Sequence, residues 1–365
     1  MADVAVIGGG PAGCAAALSL RAGGVDATVV ASPRPREKPT ETAVPRLRQL
    51  LQSLGAGEAL AACEPCYGIQ SDWSQPGPML QPSILDPSGH AWFIHRRRFD
   101  ASLARLTKAA GAVWLEAEAE SVSFTEAGMT IGTTAGPLTA KGVLIATGSP
   151  AWAARVTGQK PTVVDSLVCH WSRLPVAVES RLLHVESSEH GWWYVCPGEA
   201  GTTVACFLTD AEGARQVVPS EPEQWNALFR DTRLRHQLAL EAGADRIHRI
   251  PVSVASLDRR RGSRWVVAGD AAIKVDPIGS SGTATAIESG MLAAHALVAS
   301  QQGNDTAGEK YDRWGSGLLA AFLRQRAPSY AAGAGRYPGG FWARRNVAAI
   351  RMASPAAKPG PPGSK

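Results

Sequence analysis

Apolar residues run almost unbroken through Asp3-Val4-Ala5-Val6-Ile7, the pattern of a strand buried on both faces. Gly8-Gly9-Gly10 ends the run, and Pro11 stands where the first turn of a helix accepts proline. Helix-forming residues from Cys14 to Leu20 follow, Gly23-Gly24 stops them, and Val25 to Ala31 reads as a second strand. The opening is therefore a strand–helix–strand unit. Apolar spacing predicts a helix over Arg46 to Leu54, closed by Gly55, and an amphipathic helix over Phe99 to Ala110. Strands are expected at Ala112 to Ala117 and Gly142 to Ala146, with a hairpin across Val122 to Leu138. From about 160 to 255 the chain reads as short strands, such as Trp192 to Val195 and Thr202 to Leu208. Arg264 to Gly269 returns to the buried-strand pattern, and Gly282 to Val298 is a helix rich in alanine and glycine.

These pieces predict an α/β protein whose Rossmann-type nucleotide domain is interrupted by a β-rich domain. The nucleotide domain is assigned to 1–60, 96–158 and 260–300, and the β-rich substrate domain to 61–95 and 159–259. Residues 301–354 are expected to form C-terminal helices, and the Pro- and Gly-rich tail 355–365 to be disordered. No internal repeat is visible.

Composition narrows the class. The 365 residues are 45% apolar and carry a net charge of only +5. Arg96-Arg97-Arg98 and Arg259-Arg260-Arg261 are basic, but neither interleaves with an aromatic stacking array, so nucleic acid is not expected as a partner. No run approaches the ~18 apolar residues of a membrane span, and the first residues lack a positively charged leader. Six irregularly spaced cysteines do not suggest a disulfide framework. The expectation is a cytoplasmic protein with reduced thiols. Cys63-Glu64-Pro65-Cys66 has no matching second pair and reads as structural rather than metal-binding.

Gly8-x-Gly10-x-x-Gly13 lies between a strand and a helix, the context in which this spacing binds a dinucleotide. Gly8 serves the tight turn, Gly10 the approach of a pyrophosphate, and Gly13 close packing. The helix start at Pro11 and Ala12 aims free N–H groups at the phosphates. The acidic residue expected after the second strand is missing: Ala31-Ser32-Pro33-Arg34 stands there, and Ser32 offers at most one hydroxyl to the ribose. Far along the chain, Gly269-Asp270 closes a strand. Pro277, Gly279, Ser280, Ser281 and Gly282 then lead into a helix. A carboxylate at that strand end can accept ribityl hydroxyls, and the helix start can face the ring edge that becomes anionic on reduction. A nicotinamide dehydrogenase needs no such second element, so the reading is FAD.

The glycine turn, Arg96-x-x-Phe99-Asp100 and this late Gly-Asp together resemble the FAD-dependent monooxygenases of the hydroxylase type. Glu41-Thr42-Ala43-Val44-Pro45 is similar to a segment of their tryptophan-halogenase-like branch. Gly68-x-x-Ser71-x-Trp73, Gly191-Trp192-Trp193-Tyr194-x-x-Pro197, Thr147-Gly148 with Arg155, Thr209-Asp210 and Phe341-Trp342-Ala343-Arg344-Arg345 resemble the LodB-like flavoproteins that mature cysteine tryptophylquinone enzymes. The matches span roughly residues 3 to 345. The resemblance implies a glutathione-reductase-like fold, with Arg96 near the FAD phosphates and Glu41 near the flavin. It also implies hydroxylation of an aromatic substrate, a small molecule or a tryptophan of a precursor protein or peptide.

Such chemistry asks the protein mainly for orientation and a dry wall. Trp192, Trp193 and Tyr194 are the substrate-wall candidates. On a strand, neighbours face opposite ways, so one of the two tryptophans is expected in the core and the other at a pocket or the surface. His190 is a candidate general base. Two alternatives are a flavin halogenase and an oxygen-independent flavin reductase of an unsaturated substrate. The halogenase lysine of the branch, five residues before the glutamate, is replaced here by Arg36, which stays protonated. A third alternative, a binding protein that has lost its cofactor, follows from Ala31-Ser32. Without a second dinucleotide motif, NAD(P)H visiting a groove or a partner reductase is expected to supply electrons.

Overall fold

A computed structural model of the chain describes residues 2–34, 36–73, 77–125, 128–240 and 243–345. The strands predicted near the start, at 112–117, at 142–146 and at 264–269 come together as one parallel layer. Its order is Val113–Glu116, Ala27–Ala31, Ala2–Ile7, Gly136–Ile145 and Trp265–Val267. Helices Pro11–Ala22 and Gly282–Gln301 cover one face, where Val4, Val6, Ala16, Val29, Leu144 and Leu297 form a core. The predicted hairpin is part of a three-strand meander. Ala119–Thr125 and Gly128–Thr133 pair in sequence onto the first half of Gly136–Ile145, whose second half joins the parallel layer.

A second, seven-stranded sheet is built mainly from the middle of the chain. Its order is His248–Pro251, Val168–Leu174, Thr203–Thr209, Gly191–Pro197, Leu183–Ser188, Gly68–Asp72 and Met79–Pro82. The segment 61–95 is divided between sheets. Gly68–Asp72 and Met79–Pro82 join this large sheet, whereas Cys63–Cys66 and Ala91–Ile94 pair in a small sheet with Glu41–Ala43. The cysteines of Cys63-Glu64-Pro65-Cys66 are free, and no metal-binding cluster occurs among the described residues.

The region 160–255 is less purely β than its sequence suggests. Helices Ala211–Val217, Pro222–Arg230 and Arg233–Gln237 interrupt it. Asp210 and Thr232 cap two of them through their side chains, and Pro222 begins the third. Trp225 and Phe229 from Pro222–Arg230 pack on the outer face of the large sheet. Helix Pro150–Thr157, capped by Ser149, is a further element outside the predicted set.

The inner face of the large sheet is covered by the C-terminal segment. Helix Thr306–Arg336 brings Tyr330 and Ala334 to it, and the helical stretch 340–345 adds Phe341 and Trp342. The C-terminal helices expected to about 354 are thus described through 345; the remainder and the tail expected to be disordered lie outside the described residues. No described helix is long and apolar enough to cross a membrane.

Two histidines are sealed in this β-rich region. His170 and His184 are each 2% exposed, and burial pushes both down to about 4. Their unfolded value is near 6.5, so between pH 6.5 and 4 the unfolded chain binds more protons than the folded one. Their stabilising share is therefore complete above pH 6.5 and is lost as pH falls toward 4. We expect the melting temperature to fall over that window, and the fall to be shallower in a His170→Phe, His184→Phe double variant. Melting curves at several pH values with an unchanged slope in that variant would show that other groups set the acid response.

Candidate active site

Backbone crowding explains the first glycine motif. Gly8 has φ +115°, and a Cβ there would lie 2.3 Å from the carbonyl oxygen of Ala146. A Cβ on Gly13 would lie 1.8 Å from the carbonyl oxygen of Gly8, so strand, turn and helix close on one another only without side chains. At Gly10 the reverse holds: among the described residues, no atom beyond its two chain neighbours lies within 4 Å of the Cβ position. The N-terminus of Pro11–Ala22 opens onto that space, with no side chain capping it.

The second motif converges on the first. A Cβ on Gly269 would meet the Ala12 Cβ at 2.8 Å, and the Gly269 N–H donates to Ser289 Oγ at 2.7 Å. Gly8–Gly13 and Gly269-Asp270 are thus neighbours, although more than 250 residues separate them in the chain. The Asp270 carboxylate has no hydrogen-bond partner among the described residues. Burial raises its pKa; the charges of Lys274, Lys38 and Arg96 oppose that rise, and Glu41 adds to it. An unpartnered carboxylate at the mouth of a bare glycine turn is what a ribityl chain would satisfy.

Glu41 and Arg96 join the remaining walls. Arg96 Nη1 donates to Glu41 at 2.7 Å, and Nε and Nη2 donate to Asp100 at 3.2 and 3.0 Å. The other Glu41 oxygen accepts from Thr283 Oγ1 at 3.0 Å, at the start of helix Gly282–Gln301. Burial alone would raise the Glu41 pKa, but Arg96 and Lys38 overcome it and hold the group below the usual carboxylate range. Burial likewise works against the Arg96 cation, and the two carboxylates more than offset it. One backbone bond, Val44 N–H to Ser280 O at 3.1 Å, and an Arg46–Glu288 ion pair fasten the Glu41 segment to the Pro277–Gly279 loop and its helix. The helix starts at Gly282, immediately after Ser281.

The aromatic candidates separate by face. Trp192 and Tyr194 point inward with Trp342, Tyr330 and Phe341, and Trp73 packs on them, with ring centroids 6.0 Å from both Trp192 and Trp342. Ile278, from the Pro277–Gly279 loop, packs against this same cluster. Trp192 Nε1 is buried without a hydrogen-bond partner among the described residues. Trp193 is not part of this wall. It faces the outer core and packs on Phe207, Trp225 and Phe229. Both tryptophans are 1% exposed, so the alternation divides two cores rather than a core and a surface.

His190 occupies the turn between Leu183–Ser188 and Gly191–Pro197, its ring beside Glu189 and its carbonyl accepting from Thr209. That is one strand length, about 20 Å, from the end of Gly191–Pro197 where Cys196 touches the Thr40 carbonyl. The His190 carbonyl is thus committed, while its ring stands at the Ser188 end of the aromatic face, where Trp342 Nε1 donates to the Ser188 carbonyl at 2.8 Å. Ser32 is also committed: its hydroxyl donates to Glu118 and accepts the Arg34 N–H at 3.1 Å. Thr283, Ser289, Lys38 and Lys274 were missed as site residues. Lys274 lies four residues beyond Asp270, a local signal, but its Nζ reaches the Pro251 carbonyl at 2.7 Å only through a long-range pairing. Burial lowers the Lys274 pKa and the Asp270 charge counters it.

Fold and site define the class: a flavin-dependent oxidoreductase with a glutathione-reductase-like nucleotide domain. Residues 2–173 match the model of the pyridine nucleotide-disulphide oxidoreductase family. The chain is 25% identical over 315 residues to the putative FAD-dependent oxidoreductase LodB of Marinomonas mediterranea, covering 81% of this chain and 84% of that protein. It is 26% identical over 347 residues to digeranylgeranylglycerophospholipid reductase 2 of Methanopyrus kandleri, covering 86% and 82%. Among solved structures, the peptidyl tryptophan dihydroxylase QhpG, essential for tryptophylquinone cofactor biogenesis, superposes with a TM-score of 0.76. That match has 25% identity over 94% of this chain and 78% of QhpG. Flavin-dependent halogenases share the fold. The likeness to the halogenase-like, LodB-like branch is borne out.

Proposed function

We propose that the protein is an FAD-dependent monooxygenase that hydroxylates an aromatic ring, a tryptophan side chain of a precursor protein being the substrate its relatives favour. The observation that carries this reading is the seating of the Pro277–Gly279 loop, through Ile278, against the face formed by Trp192, Tyr194, Trp73 and Trp342. Reduced flavin and oxygen supply the oxygenating power when FAD is bound. The chain's own part is to hold the cofactor between Gly10 and Asp270, to exclude water with that apolar face, and to orient an aromatic ring beside it. The named activity of QhpG and the likeness to LodB support a tryptophan in a protein. Electrons come from NAD(P)H or a partner reductase.

The likeness to digeranylgeranylglycerophospholipid reductase 2 favours one second reading, hydride transfer to an unsaturated substrate without oxygen. Halogenation is disfavoured by Arg36, which cannot carry an oxidised halogen as a lysine amine does. The test is to reduce the flavoprotein, present a tryptophan-containing precursor peptide, and follow its mass with and without oxygen. A gain of one or two oxygen atoms in air and none under argon is expected. Oxygen consumption that leaves the peptide unmodified would refute the proposed substrate, and anaerobic saturation of a prenyl lipid would install the second reading.

A further inference from the structure

The strand that should end in a ribose-binding acid ends in Ala31, yet the place beside it is not empty. A cleft of about 490 Å³ opens next to Ala31, Ser32 and Pro33, and its far wall carries Arg105, Lys108, Trp114 and Glu116. Ala27–Ala31 pairs in parallel with Val113–Glu116, with Val29 opposite Trp114 and Ala31 opposite Glu116. Residues opposed in a parallel pair project to the same side, about 4.8 Å apart. Val29 and Ala31 face the core beneath the glycine turn, and Trp114 packs against that same core. Glu116 therefore projects on the side of Ala31, one strand over.

Space explains the displacement. A Cβ built on Gly9 would lie 2.8 Å from the Ala31 methyl and 2.8 Å from the indole edge of Trp114. The indole edge and the methyl thus meet over the turn, and a long side chain at position 31 would compete with the tryptophan for that volume. Lys108 covers the indole at 5.1 Å. The other polar groups near the cleft are engaged: Arg105 pairs with Glu58 at 2.6 Å, and Ser32 with Glu118. The Glu116 carboxylate, by contrast, has no hydrogen-bond or ion-pair partner among the described residues.

From this we infer that Glu116, supplied by the neighbouring strand, accepts the ribose hydroxyls of the FAD adenosine in place of the missing acid after the second strand. The inference rests on the reading of the site as an FAD site. It is tested by titrating flavin-stripped protein with FAD, with FMN, and with FAD whose adenosine lacks the 2′-hydroxyl, following flavin fluorescence. A carboxylate bound to a diol makes charge-assisted hydrogen bonds, so Glu116→Ala should weaken FAD by about 10- to 100-fold. FMN, which has no adenosine, should bind the variant and the native protein alike. Native protein should prefer FAD over its 2′-deoxy analogue, and the variant should not.

Glu116 is exposed and unpartnered, so the variant keeps its fold, as an unchanged melting temperature of the stripped protein would verify. Undiminished FAD affinity in Glu116→Ala, or an equal loss for FMN, would overturn the inference and leave the FAD site standing. Native protein that binds neither flavin would overturn the site itself.

Discussion

A Gly10→Val variant should fold normally and emerge colourless. Gly10 has φ −82° and ψ −174°, extended values open to any residue, and among the described residues no atom beyond its chain neighbours lies within 4 Å of its Cβ position. A valine there strains nothing in the protein. Its branched side chain instead fills the approach to the bare N-terminus of Pro11–Ala22, where the pyrophosphate must meet the backbone N–H groups. FAD affinity should fall by about 100-fold or more, equivalent to at least about 2.7 kcal/mol, while the melting temperature of the stripped protein stays put. Gly13→Ala makes the contrast. Its Cβ would sit 1.8 Å from the Gly8 carbonyl oxygen, so that variant should lose stability along with flavin. Flavin titration and thermal melts of both proteins decide the matter. Native-like FAD binding by Gly10→Val would mean that the pyrophosphate does not lie at this turn.

The second large effect is expected at Arg345. Its guanidinium donates to both oxygens of Asp165 at 3.0 and 2.9 Å, to Asp210 at 2.8 Å and to the Phe341 carbonyl at 2.8 Å. Arg326 continues the network, bonding Asp165 at 3.1 Å and Asp276 at 2.8 Å, and Tyr330 also donates to Asp276. These side chains are nearly sealed from water. Asp210 shows the balance: burial would raise its pKa, but the Gly213 N–H and Arg345 hold it below the usual carboxylate range. Replacing Arg345 with methionine preserves the packing on Phe341 but strips Asp165 and Asp210 of a shared cation. Removing the sole partner of a buried ion costs about 3–5 kcal/mol; here Asp165 keeps Arg326 and Asp210 keeps Arg344 at 2.9 Å, so the loss should fall to the lower end or just below it, about 2–3 kcal/mol. Denaturant unfolding should show that loss. Limited proteolysis should cut first near residues 337–345, where the chain lies over the aromatic face. A loss below about 1 kcal/mol would show that apolar packing alone holds this segment down.

The same network shows where reading the chain reaches its limit. Arg344-Arg345 and Thr209-Asp210 stand out as motifs, but nothing local says that they bond to one another across 135 residues. The tryptophan pair is a similar case. Alternation places Trp192 and Trp193 on opposite faces, as observed, but the number of layers on the outer face depended on helix Pro222–Arg230. That helix is short, and its apolar face became visible only once packed on Phe207 and Trp193. His190 stands beside a motif in the chain, but its distance of one strand length from Cys196 emerges only from the strand pairing. The departures at Ala31 and Arg36 were legible because each is an expected residue type missing at a known spacing.

Periodicity and glycine placement by themselves determined the individual strands of the nucleotide domain, the phosphate turn and the late Gly-Asp, because each depends on neighbours within a few residues. Tertiary structure alone decided that Gly269 rests on Ala12, that Glu41 bridges Arg96 and Thr283, and that Glu116 stands beside Ala31. It also decided which tryptophan faces Ile278. Those contacts arise from strand register and from the way the sheets stack. Both are set by the summed burial of many distant side chains, so no short stretch of the chain encodes them.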